Sequence, residues 1–378
     1  MIYLDHAATS WPKPPEVLHA IIAAMAEAGG NPGRSGHRMA MRAAEIVYAC
    51  RENLARLFRI DDPLRIAFTA NATEALNLAI KGLLRPGDHA VFSSMEHNAV
   101  WRPLHAMAAL GVDLTMVMAE RNGIVPPDAT TKALRPQTKL VVLTHASNVN
   151  GALNDIAAVG KIAHEHGALL LVDAAQTAGC VPIDVDAMNI DLLAFPGHKG
   201  LLGPQGTGGL YIRPGLTLAP LKEGGTGSLS HLPTVPDFAP DRYESGTPNT
   251  PGLAGLNAGV QHVLSRGVEA VRADEIALGE RLHTGLARLP GVTLYGPETP
   301  QHRTGIVTLT VENRDCEEIA AVLDQEFDIA CRAGLSCAFL AHRAQGTDRT
   351  GTVRLSLGAF STESDVESAI AAFTVLLG

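Results

Sequence analysis

A mostly parallel α/β sheet flanked by helices, followed by a smaller α+β domain, is the fold class that three features of the chain predict. Strand-like apolar runs alternate with helix-like ones over residues 64–212, the pattern of repeated βαβ units. Polar residues with chemical potential recur at the predicted carboxyl ends of those strands, where open α/β sheets place their ligands. After Pro290 the chain changes to short strands interleaved with helices, which reads as a second unit. The expected division is a large domain over 1–250, with 1–15 as an arm packing near the active site, and a small domain over 251–378.

In order, RIAFTA (65–70) reads as a strand. ATEALNLAIKGLL (72–84) follows as an amphipathic helix, stopped by Arg85-Pro86-Gly87-Asp88. HAVFSS, VDLTMVM, KLVVLTH, ALLLVD and DLLAF are further strands, and GTGGLYI (206–212) is expected as an added edge strand. IAAVGKIAHEHG (156–167) is helical and ends on Gly167 as its C-cap glycine. The stretch 223–251 is rich in Gly, Ser, Thr and Pro and reads as an extended loop. Helices are expected over 251–265 and 268–289. GIVTLTV, DIACRA and TVRLSL are strands of the small unit. CEEIAAVLDQE and TESDVESAIAAFTVLL are its helices.

The 378 residues are 46% hydrophobic, enough for a large core divided between two domains. A net charge of −9 without long like-charge blocks argues against nucleic acid or an anionic membrane as the main partner. No apolar run is long enough to span a bilayer. The N-terminus MIYLDHAATSWPKPP lacks the basic-then-apolar order of a secretory signal. Five cysteines in no regular framework suit free thiols in a reducing cytoplasm and fit no common zinc motif. No metal is expected.

The most informative residues are Lys199, after DLLAF and before a glycine-rich loop, and Asp173, ending LLLVD. A lysine and a carboxylate at neighbouring strand ends are what a pyridoxal 5'-phosphate (PLP) enzyme needs. The lysine holds the cofactor aldehyde, and the acid keeps the pyridine nitrogen protonated. Only seven lysines exist in the chain. The apolar strand before Lys199 predicts a desolvated amine of lowered pKa. A buried aspartate is costly unless paired, so the competing reading of Asp173 is a structural ion pair.

Thr73 stands where a strand gives way to a helix, a place for a phosphate or simply for an N-cap supplied by Asn71 or Thr73. His97 and His198 also follow strands, and either reads equally as a structural histidine. Asn148 and Gln176 follow strand ends as well. Arg354 interrupts TVRLSL. It is either one half of an internal salt bridge or a grip for a substrate carboxylate. Cys337 lies in RAGLSCAFLAHRAQGTDRTG (332–351), read as a loop, with Arg332 close by. That setting favours a reactive thiolate, with an inert free cysteine as the equal competing reading, whereas Cys50, Cys180, Cys316 and Cys331 read as buried and inert.

Taken in order, YLDHAAT, NATEALNL, MEHNA, THASNVNG, VDAAQ, GHK, ESGTPNT, RAGLSC and VRLSLGAFST make the chain resemble the class V aminotransferase-type PLP enzymes of fold type I. Within that group it is similar to the cysteine desulfurases. The resemblance runs nearly end to end. It implies that Lys199 carries the cofactor, Asp173 pairs with the pyridine nitrogen and Gln176 with the ring hydroxyl. His97 would stack on the ring and take part in catalysis. Ala72, Thr73 and His198 would lie at the phosphate, with Thr247 reaching it from the other subunit of a homodimer. Asn148 and Arg354 would hold the substrate, and Cys337 would be the nucleophile that takes sulfur from L-cysteine as a persulfide, leaving L-alanine. A sulfur-acceptor protein follows as a partner, with iron–sulfur cluster assembly as one pathway. Pro196, Ala72 and the Leu335-Ser336 pair depart from the usual pattern; Pro196 and the Leu335-Ser336 pair keep a selenocysteine lyase or another class V aminotransferase or β-lyase as the alternative. A non-catalytic sulfur carrier is a more distant one.

Overall fold

The computed structural model describes residues 1–378 apart from position 34. Its centre is a seven-stranded sheet in the order β2-β8-β7-β6-β5-β3-β4. The strands are β2 (Ile66–Thr69), β3 (His89–Ser93), β4 (Asp113–Val117), β5 (Thr138–Thr144), β6 (Leu169–Asp173), β7 (Leu192–Pro196) and β8 (Gly208–Ile212). All neighbours from β4 to β7 are parallel, and β8 runs antiparallel to both β7 and β2. The GTGGLYI segment is therefore not the edge. It is buried at every position between β7 and β2, and its apolar character on both faces is that of an interior strand.

Helices cover both faces. On one side lie α3 (Ala72–Leu83) and α4 (Asn98–Ala108), whose Leu76, Ile80, Val100 and Leu104 join Val142 and Leu171 of the sheet in one cluster. On the other side α2 (Arg38–Phe58), α6 (Ile156–Glu165) and α7 (Thr250–Arg266) pack against Val141, Val172 and Phe195. The short α5 (Pro127–Ala133) lies beside α6, and α1 (Pro15–Glu27) and α2 both pack on α7. Gly167 follows α6 with φ +72, the left-handed conformation that lets the chain leave a helix. No strand or helix forms between Ile212 and Thr250.

The second unit has a four-stranded antiparallel sheet, β12-β13-β10-β9, built from β9 (Val292–Tyr295), β10 (Ile306–Val311), β12 (Arg332–Gly334) and β13 (Thr352–Ser356). It packs against α8 (Val268–Ala287), α9 (Cys316–Phe327) and α11 (Glu363–Leu377) through Leu282, Leu309, Leu323, Leu355 and Phe373. DIACRA does not form one strand. It breaks at Cys331 into β11 (Ile329–Ala330), which pairs in parallel with β1 (Ile2–Tyr3), and β12. The N-terminal strand thus belongs to the far end of the chain. The 332–351 segment is not all loop either, because α10 (Phe339–Gln345) forms within it and buries Leu340 and Ala341. Among the described residues no helix is long and apolar enough to cross a membrane.

Candidate active site

In the parallel part of the sheet the strand order reverses between β3 and β5, since β4 lies on one side of β3 and β5 to β7 on the other. A crevice at the carboxyl ends is the geometric consequence. It is a cleft of about 510 Å³. Asn71, Ala72 and Thr73 line it from the start of α3, and His97 and Asn148 from the turns after β3 and β5. Asp173 and Gln176 enter from the end of β6, and Pro196, His198 and Lys199 from the end of β7.

Lys199 and Asp173 act on each other electrostatically across this cleft. Burial lowers the Lys199 amine to about 8, with Arg354 and Arg332 pushing the same way and Asp173 opposing. Asp173 is only 3% exposed, and burial raises its carboxyl pKa. Its Oδ1 accepts from the Ala175 N–H at 2.9 Å. Among the described residues no cation forms an ion pair with it. A buried carboxylate without an ion pair is unfavourable, and the Ala175 N–H and the Lys199 charge are what oppose the effect of burial on it.

Asn71, not Thr73, caps α3: its side chain accepts from Glu74 N–H at 2.9 Å. The Thr73 hydroxyl is thereby left to the cleft. The N–H groups of Ala72 and Thr73 have no acceptor among the described residues. Together with the helix dipole these free donors leave positive potential at the cleft wall.

His97 caps α4, its Nδ1 accepting from Ala99 N–H at 3.0 Å. Burial, reinforced by the charge of Lys199, lowers its pKa to about 4, so the ring is neutral near pH 7 with its proton on Nε2. Gln176 donates from Nε2 to the Ala7 carbonyl at 3.1 Å. His198 meets the Thr9 hydroxyl through Nδ1 at 3.1 Å, and its pKa too is lowered to about 4 by burial. Ser10 and Lys13 were not anticipated. Ser10 Oγ donates to the Lys199 carbonyl at 2.9 Å, and Lys13 Nζ donates to the His198 carbonyl at 2.9 Å. These bonds tie the N-terminal arm to the backbone of the key lysine. A lone lysine in a proline-rich arm beside YLDHAAT was the available signal.

Arg354, 2% exposed, takes the internal ion pair that is the first of its two sequence readings. Nη2 pairs with Asp5 Oδ1 at 2.8 Å, and Nη1 donates to the Asn148 carbonyl at 2.8 Å. Its Nε has no partner among the described residues. Arg332 stands directly opposite it in the β12–β13 pair. Cys337 is exposed, with the Arg332 guanidinium 4.0 Å from its Sγ. Ser336 and Cys337 both hold positive φ, +46° and +56°, a conformation that costs non-glycine residues energy. It is secured by Asn148 Nδ2 donating to the Ser336 carbonyl at 2.6 Å and by Asn98 N–H donating to the Cys337 carbonyl at 2.9 Å. The cysteine turn is thus bolted to the two turns that carry His97 and Asn148.

Thr247 lies elsewhere in this chain, in a separate cleft with Glu74, Lys222 and Tyr243. Its hydroxyl accepts from Asn31 Nδ2 at 3.3 Å. Sequence reasoning also missed Glu244, which fixes that segment. One carboxylate oxygen accepts from Phe68 N–H and the other pairs with Arg51, whose guanidinium lies 4.3 Å above the Phe68 ring. ESGTPNT was singled out as a motif, but a glutamate's partner on α2 leaves no mark in sequence.

The model of the family described as Aminotransferase class-V matches residues 2–368. A probable cysteine desulfurase from Methanothermobacter thermautotrophicus is 35% identical over 97% of this chain and 92% of its own length. A cysteine desulfurase IscS from Anaeromyxobacter sp. (strain K) is 34% identical over 98% of this chain and 91% of its own. The apo cysteine desulfurase of Thermococcus onnurineus NA1 superposes with a TM-score of 0.93 at 32% identity, covering 100% of this chain and 94% of that one. Escherichia coli CsdA, solved with an S-sulfonic acid, superposes at 0.89 with 29% identity and covers 100% and 95%.

Proposed function

Since the chain belongs to the class-V aminotransferase family, we propose that it is a PLP-dependent cysteine desulfurase that converts L-cysteine to L-alanine and takes the sulfur onto Cys337. The observation that carries the reading is the convergence of Lys199 in one cleft with a buried Asp173 that makes no ion pair among the described residues. The donor set fits the cofactor. Lys199 offers a desolvated amine for its aldehyde, and Asp173 would keep a proton on its ring nitrogen. Ala72 and Thr73 offer N–H groups to its phosphate with His198 beside them. His97 and Gln176 would be the residues beside its ring. When bound, PLP supplies an electron-withdrawing ring conjugated to the substrate amine.

The residues of the chain divide the remaining work. Arg354, assisted by Asn148, binds the substrate carboxylate and orients the cysteine. Lys199, once free, takes the Cα proton and later returns one to carbon. Arg332 favours the thiolate of Cys337. That thiolate attacks the substrate sulfur: an S–S bond forms and the substrate Cβ–S bond breaks. The electron pair of the broken bond stays with carbon, which gains a proton and becomes the methyl group of alanine. Sulfur is oxidised and carbon reduced, so no external oxidant is needed. A sulfur-acceptor protein then collects the persulfide.

The test uses the purified chain with PLP and a thiol reductant, which frees the outer sulfur of the Cys337 persulfide as sulfide, measuring alanine and sulfide together from L-cysteine, and alanine and selenide from L-selenocysteine. Equal alanine and sulfide are expected. Lys199→Ala should lose the visible absorbance of bound PLP, and Cys337→Ala should keep that absorbance while sulfide release collapses. Retained absorbance in the first variant, or full desulfuration in the second, would overturn the assignment. Alanine formed only with an added oxo-acid would mark a transaminase instead.

A further inference from the structure

Glu96 has no role in the chemistry above, yet it is 0% exposed beside the cleft. The β3–β5 ladder ends at Phe92↔Val142, and beyond that register the two strands separate to open the crevice. Thr144 N–H is left there without a strand partner. Glu96 fills the gap: its Oε1 accepts from Thr144 N–H at 2.9 Å and from the Ser93 hydroxyl at 2.5 Å. The Ser93 hydroxyl in turn accepts from Met95 N–H. One carboxyl group therefore joins the carboxyl ends of β3 and β5. Thr144 is the register partner of Asp173 in the β5–β6 pair, and His97 is the next residue along the chain.

No lysine, arginine or histidine pairs with Glu96 among the described residues, and its Oε2 has no partner. A buried, unpaired carboxylate is unfavourable as an anion. We propose that Glu96, as an uncharged acid, is a positioning residue that bridges the splayed ends of β3 and β5 and so sets Asp173 and His97 at the floor of the cleft. Its neutrality keeps a second negative charge away from Asp173. Burial, with Asp173 adding to it, raises the Glu96 carboxyl to about 8. The adjacent His97 is neutral, and Lys199 faces Asp173 from β7. The functional half of this inference rests on the cofactor reading of the cleft; the ionisation half does not.

With a folded pKa above its ordinary value near 4.5, Glu96 binds a proton in the folded chain that the unfolded chain releases. Its neutral form therefore favours folding fully at low pH, and that contribution falls away as pH rises toward 8. Glu96→Gln keeps the acceptor without ionising. The melting temperatures of the full chain and of this variant, measured without PLP from pH 5 to 9, should diverge as pH rises, the variant gaining on the parent, and the gap should level once pH falls below 5. Parallel curves would overturn the uncharged acid.

PLP titrations read by absorbance test the positioning role. Glu96→Gln should bind as the parent does, and Glu96→Met should bind roughly tenfold or more weakly, because Thr144 N–H loses its acceptor. Ser93→Ala, which removes the hydroxyl's bonds to Glu96 and from Met95 N–H but no charge and leaves the Glu96–Thr144 bond in place, should shift affinity less in the same direction and serves if the Met variant does not fold. Unchanged affinity in the folded Met variant, or in Ser93→Ala, overturns the role. A parent chain that develops no visible absorbance with PLP would sink the cofactor reading, while the melting curves still decide the state of Glu96.

Discussion

Two guanidinium groups facing each other across β12 and β13 would repel, and Asp5 is what makes the arrangement tolerable. By holding one edge of Arg354 it fixes the guanidinium plane and leaves Nε without an internal partner. Arg354→Lys cannot reproduce a planar fork. It should raise the KM for L-cysteine about ten- to a hundredfold, with a smaller effect on kcat; an unchanged KM would remove Arg354 from carboxylate binding. Lys199 makes a second prediction. An amine at about 8 is protonated and unreactive below that pH, so the rate of PLP attachment should climb about tenfold per pH unit up to pH ~8 and then level. Stopped-flow absorbance decides this, and a rate still climbing at pH 10 would show that burial does not tune the amine.

At the scale of elements, α7 holds the lysine loop in place. A Cβ on Gly259 would stand 2.4 Å from the Leu201 carbonyl, two residues after Lys199, and one on Gly203 would stand 2.9 Å from Leu256 Cα. Helix and loop approach that closely because no side chain intervenes. Gly259→Ala should cost about 1–3 kcal/mol of stability by overpacking and should weaken PLP binding by displacing the loop. Denaturant unfolding and absorbance titration check the two effects, and an unperturbed variant would mean that the loop yields freely. β13 shows the same economy in a strand. Val353 and Leu355 face the small core, while Thr352, Arg354 and Ser356 face the other way. The arginine that looks out of place in TVRLSL therefore stands on the polar side of an alternating strand.

For the whole molecule, the resemblance implies a site completed by two copies, and Thr247 is the residue on which that rests. Leu18, Ile22, Met25, Met39 and Met41 on α1 and α2 are exposed, more apolar surface than single scattered residues explain. The chain should sediment at twice its own mass. Thr247→Ala and Lys199→Ala should each be impaired as PLP enzymes. Mixed and refolded together, they should regain activity that neither shows alone, because a heterodimer has one site intact in both residues. No recovery in a demonstrated heterodimer would place Thr247 in the same subunit as its lysine.

The strand ends that meet at the cleft were legible because a parallel sheet announces itself: apolar runs such as LLLVD must be buried on both faces, and the residue that ends each run must emerge at one edge. Lys199, Asp173, Thr73 and His97 are local in this sense, each readable from its own strand and the turn after it. The position of β8 inside the sheet, the break of DIACRA at Cys331 and the α10 helix near Cys337 were not, since short apolar stretches do not say which neighbour they will pair with. Nor did the sequence alone reveal Asp5 on Arg354, Ser10 and Lys13 on the 198–199 backbone, or Glu96 between β3 and β5. Periodicity along a chain records which face of an element is buried. Which distant side chain satisfies a buried charge or an orphaned N–H is decided only when the elements close around it.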